Sequence, residues 1–308
     1  LHAARKVRVM GGLVMVNMVS GNLTLADTPN QEFKRFATRI DSPVNVAISS
    51  WFQGVIHFCR NELDTAIEYL SHAAEFCYIM PKRVSVDCLA GLALAYQATQ
   101  QTDKVSATMA RLLEYIHSSK DSTFLEVAHS CRARLSLMKG EAPFASDLPG
   151  IDTASGGRSL FIFLEIPGIT QCRVLLAEGS DTSLREAEKR LQALLRLSQA
   201  QHNTLQMIGI MVLQALALQK QGRTDEALAA LETAVELARP GGFIRPFVES
   251  GPTVEGLLKR LAEKDVAVDY IGQLLDAFKA DQNGVKRGTF EPLAGGRPSV
   301  SNQPLIAP

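Results

Sequence analysis

The chain has little of what most specialised binding proteins carry. Only 6% of its 308 residues are aromatic, with a single tryptophan, and 32 basic side chains are matched by 32 acidic ones. A formal net charge of zero argues against the polypeptide being, by itself, an electrostatic binder of nucleic acid or membrane. Cysteine is sparse and scattered: Cys59, Cys77, Cys88, Cys131 and Cys172 are odd in number and form no C-x-x-C pair. Free thiols in a reducing, cytoplasmic compartment fit this usage best. The longest apolar runs, near Val9–Val19 and Met207–Leu218, are too short and interrupted to span a bilayer. No signal peptide is visible, and no G-x-x-x-x-G-K-[ST] phosphate cradle occurs. His57 and Cys59 stand two apart, as do His129 and Cys131; on a helix that spacing faces different sides. Neither pair converges on a metal or forms a nucleophile with its base, so no metal site and no enzyme are expected. The first residue is Leu1 rather than Met, which suggests a fragment of something longer.

What is present is helical repetition. Ile208–Ala238 reads as two antiparallel helices around a tight turn. The first carries Ile208, Met211, Val212, Ala215 and Leu218 at three- and four-residue spacing, an apolar stripe. Gly222 suits the left-handed turn that ends a helix, and Thr224 is a plausible N-cap for the second. One hairpin cannot bury its own apolar faces. Taking Ala227 as anchor, equivalent positions fall upstream at Ala187, Ala145, Val105, Ala66 and Ala26, spaced by about 40 residues. Five places before the anchor stand Gly21, Asn61, Gly140 and Gly222; twelve before it stand Gly54, Ala93, Ala133 and Ala215. Small residues at fixed places on both helices resemble the tetratricopeptide pattern, with the extra residues placed in loops. The expected fold is therefore all-α, a superhelical array of about six hairpins over residues 1–238. Capping helices are expected over 239–280 and a Gly-, Pro- and Ser-rich flexible linker over 281–308.

In chain order, the first hairpin is the least regular, its second helix being interrupted by Pro29. Ser42-Pro43 opens the second unit, with Asp64 a possible N-cap inside it. The fourth unit keeps a good first helix through Met138, then a short second one crowded by Pro143, Pro149 and Gly150. Asp152–Arg158 reads as a loop. The apolar run Ser159–Ile166 is either two short helical pieces or an extended segment feeding a helix at Pro167.

Three stretches carry a resemblance to a known family. Gly242–Gly251 (GFIRPFVESG), Leu164-Glu165-Ile166-Pro167 followed by Arg173–Ala177, and the final Gln303–Pro308 resemble the large LuxR-type transcriptional regulators of the MalT group. In that family an ATP-binding module precedes the repeats and a DNA-binding helix-turn-helix follows them. The resemblance thus implies an isolated sensor segment, with ATP and DNA binding left to modules absent from this chain. It also implies an inducer that favours a self-associated state.

On the tetratricopeptide template the first helix of each unit lines a concave groove. Groove positions include Trp51 and Phe58 on the second unit, Asp87 and Gln97 on the third, Ser130 and Arg134 on the fourth, and Arg173 on the fifth. Trp51 either stacks on a flat ligand face or packs against the neighbouring hairpin. Arg134 and Arg173 either grip a carboxylate or phosphate or form interhelical salt bridges. Glu165 points into the groove or caps a helix, while Arg245 and Glu249 are read as a structural pair pinning the cap. Three functions remain: an effector-sensing domain that binds a small molecule or regulatory protein, a plain interaction scaffold, and a toroidal helical enzyme. The last needs two acids facing each other across a cavity, which nothing in the spacing supports.

Overall fold

A computed structural model describes residues 2–119, 122–141, 143 and 163–284. Among these there are helices and turns and no strands. Hairpins pair α1 (His2–Val19) with α2 (Leu23–Arg39), α3 (Pro43–Cys59) with α4 (Leu63–Glu75), and α5 (Lys82–Ala98) with α6 (Thr102–Ser118). After α7 (Leu125–Met138), two more pair α8 (Pro167–Glu178) with α9 (Asp181–Ala200) and α10 (Thr204–Lys220) with α11 (Thr224–Ala238). The short α12 (Arg245–Val248) leads to α13 (Pro252–Ala262) and α14 (Val268–Gly284). Ala145, Asp152–Arg158 and the first part of the run from Ser159 lie outside the described residues, as does the second helix expected there.

The repeat is written in the backbone. Five places before the anchor, Gly21, Asn61, Gln100, Gly140 and Gly222 all take a positive φ. The following residue in each turn reaches back to the same carbonyl: Asn22 to Asn17, Glu62 to His57, Gln101 to Tyr96, Glu141 to Ser136 and Arg223 to Leu218. This six-to-one bond closes a helix C-terminus and aims the chain back along itself. Anchors Ala26, Ala66, Ala187 and Ala227 are fully buried and Val105 nearly so. Across each hairpin the helices approach closely; a Cβ on Gly54 would stand 2.5 Å from Leu70.

The two helices of a unit play different parts. The second helices, such as α4 and α11, bury one stripe and leave the rest in water. The first helices α3 and α5 are buried on most sides, because neighbouring units cover one flank and the interior covers the other. Four local expectations are corrected. α2 runs unbroken through Pro29, with Asn30 bonded to Ser49 on α3 at 2.9 and 3.0 Å. Glu62 rather than Asp64 precedes α4, and Arg223 rather than Thr224 precedes α11, so both candidate caps sit inside the first turn. α14 continues to Gly284, into the segment read as linker.

The array also comes back on itself. α1 touches α10, α2 touches the turn Arg239–Gly241, and α12 touches α3. The Ile244 amide donates to the Cys59 carbonyl at 2.9 Å, and Arg60 holds Asp27 at 3.2 Å while reaching Gly241. The seam is tight at Gly241, where a Cβ would lie 2.3 Å from the Gly21 carbonyl oxygen. Gly241→Val is therefore expected to lower stability by about 1–3 kcal/mol, the range for overpacking. Gly256→Ala, on a helical position with nothing within 4 Å, should be neutral or raise it by about 0.5–1 kcal/mol. Paired thermal melts check this, and equal melting temperatures would refute the seam.

Candidate functional site

The trough expected along the first helices is occupied by the chain itself. Phe163–Ile166 is non-helical, with a bend at Leu164 and extended backbone at Ile166, and lies across α5 as a strap. Leu164 fits against Gly91, where a Cβ would stand 2.1 Å from its side chain. Asp87, fully buried on α5, accepts the amides of Phe163 at 3.0 Å and Leu164 at 2.8 Å through one carboxylate oxygen. Its other oxygen accepts Trp51 Nε1 at 3.0 Å. The Trp51 ring is fully buried and stacks on Phe163, centroids 5.4 Å apart, so the strap takes the flat face a ligand would have used.

Beside the strap lies a second polar group. Arg134 on α7 binds Glu249 with two nitrogens at 2.5 and 2.7 Å, and also Glu165 at 3.0 Å and the Leu164 carbonyl at 2.6 Å. Glu165 accepts in addition from Ser130 and from Thr170, the latter at 2.7 Å. Arg245 lies over the Phe58 ring, bonds Asn61 at 3.2 Å and stands 3.7 Å from Glu249. Strap, fourth unit, fifth unit and cap are thus joined through side chains that are almost wholly out of water.

Burial disfavours the charged form of both acids, but their partners leave them shifted in opposite directions. Desolvation pushes Asp87 up to about 7, against the lowering pull of its amide and indole donors. Burial also opposes ionisation of Glu249, but Arg134, Arg173 and Arg245 outweigh it and hold the carboxyl well below the usual range. Arg134 is held firmly protonated, since its two carboxylates outweigh its own burial. Burial pushes the Cys59 and Cys172 thiols up to about 12, and all five cysteines are free.

Next to this cluster is a cavity of about 70 Å³ lined by Phe58, Arg134, Ile169, Arg173, Gly209, Phe243 and Glu249 among others. Of the residues singled out from the sequence, Trp51, Phe58, Asp87, Arg134, Glu165 and Arg173 converge on this interior. Gln97 does not: it sits half-buried near the C-terminal end of α5 and does not line the cavity. The two arginines part company. Arg134 is consumed by internal ion pairs, whereas Arg173 forms none among the described residues. Glu249 is the residue whose role the sequence understated, because its chief partner is Arg134 rather than Arg245. His57 pairs with Glu62 and stacks on Tyr69, away from Cys59 chemistry. Among the described residues no helix is long and apolar enough to cross a membrane.

Stacked helical hairpins with a polar, partly hollow interior define a tetratricopeptide-like helical repeat domain. Residues 2–264 match the family model of the MalT-like TPR region, and the chain belongs to that family. Comparison with curated proteins finds no match.

The Asp87 assignment has a measurable consequence. A carboxyl whose folded value lies above its unfolded value takes up a proton on folding, so its contribution is lost as pH rises from about 4 through about 7. Glu249 acts the other way: its contribution is present above about pH 4 and disappears as pH falls. Asp87→Asn should remove the decline between about pH 4 and 7 while leaving the acid limb in place. Chemical denaturation across that range checks it; parallel profiles for the two proteins would contradict it.

Proposed function

We propose that this chain is the effector-sensing part of a MalT-type transcriptional activator, a non-catalytic domain whose interior takes a small-molecule inducer. One observation carries the reading: the cavity lies where the strap, the fifth and sixth units and the cap meet. A ligand seated there would contact α3, α8, α10 and α12 together, elements from opposite ends of the array. Occupancy would then favour one arrangement of the units over another, and only such differential binding shifts an equilibrium. The resemblance adds a self-associated state as the output, with ATP and DNA handled by other modules.

A second reading, an interaction scaffold for a partner protein, draws on the family's repeat architecture. The two are separated by a thermal-shift screen of sugars, organic acids, aromatics and peptides, followed by sedimentation with any hit. Inducer sensing predicts that a small molecule at a hundred times its Kd adds about 2.7 kcal/mol of stability. It also predicts altered self-association, and loss of both responses when Gly209→Leu fills the cavity. Stabilisation by peptides alone, or a hit indifferent to Gly209→Leu, would favour the scaffold instead.

A further inference from the structure

We infer that the interior cavity binds a short-chain carboxylic acid, its carboxylate paired with the Arg173 guanidinium and its apolar body between Phe58 and Phe243. The inference rests on the proposal that this interior takes a small molecule, and names the class.

Charge comes first. Arg134 meets Glu165 and Glu249, and Asp87 meets an indole and two amide donors. Arg173, on α8 and lining the same cavity, has no ion pair or hydrogen bond to any described residue, and its Nε is shut off from water without an acceptor. Glu249 lines the cavity too, but both of its oxygens are taken by Arg134. A half-buried guanidinium whose Nε has no acceptor still has donors to offer, and a planar carboxylate matches them in pairs. A neutral ligand would match those donors less well, and a cation would be repelled by them.

Shape and lining narrow the class. A cavity that accepts benzene measures about 150 Å³, whereas this one offers about 70 Å³, room for a compact acid rather than a ring. Beside Thr170, Gln206 and Arg245, the walls include Ile169, Leu205 and the two phenylalanines, an apolar surface against which a fully hydrated anion such as phosphate would be poorly matched. Gly209 on α10 provides the opening: a Cβ there would meet nothing within 4 Å.

Isothermal titration calorimetry on the 308-residue chain tests this with propionate, isobutyrate, propionamide, inorganic phosphate and maltose. Propionate or isobutyrate should bind, propionamide should bind at least tenfold more weakly, and Arg173→Met should weaken the acid by at least tenfold. Gly209→Leu should abolish binding while leaving the helical spectrum unchanged. Undiminished acid binding by Arg173→Met, or binding of phosphate in preference to the acids, would overturn the assignment. Binding of maltose alone, blocked by Gly209→Leu, would overturn it while sparing the small-molecule reading; no binding of any probe together with a negative effector screen would remove both.

Discussion

The structure depends on one buried ionic junction, in which Arg134 joins two glutamates, Glu165 and Glu249, that lie far apart in sequence. Hairpin stacking is local; each unit needs only its neighbours. The junction is not local. It fixes the strap to the fourth unit and the fourth unit to the segment that follows the last hairpin. Its energetic meaning lies in its burial: removing one partner of such a pair leaves a stranded charge and costs about 3–5 kcal/mol. Exposed pairs such as Lys279 with Asp276 carry no comparable constraint.

From this follows a division of labour inside the fold. Repeated left-handed turns and small anchors build the curve, and the strap and cap then close it. Asp87 serves that closure directly by accepting two strap amides, which would otherwise be buried without partners. The result is an interior assembled from segments of very different sequence position, with a small unfilled space left beside Arg173. Any molecule seated in that space would touch several units at once, because the array already converges there.

How much of this was readable in the sequence differs by level. The hairpins were legible because Ala26, Ala66, Ala187 and Ala227 repeat a packing need at a regular interval. Gln100 was not legible as a turn residue: nothing in a glutamine announces a positive φ, and only the repeated backbone bond to Tyr96 makes it equivalent to Gly21 and Gly222. Helix continuity through Pro29 was likewise hidden, since packing of Phe33 and Phe36 overrides the local penalty of proline. The inward residues Trp51, Asp87, Arg134 and Arg173 followed from the template, but their partners did not. The strap meets Asp87 across 76 residues of sequence and the cap meets Arg134 across 115, separations that helical periodicity cannot encode.

Closure of the interior by the array's own chain is tested most directly by amide hydrogen exchange at Phe163, Leu164 and Ile244. Each of these amides donates to a buried acceptor, Asp87 or the Cys59 carbonyl, far from it in sequence. They should exchange as slowly as the core of α5, although none lies within a long helix. Exchange at the rate of an open loop would mean that strap and cap stand away from the trough, and would contradict a self-closed interior.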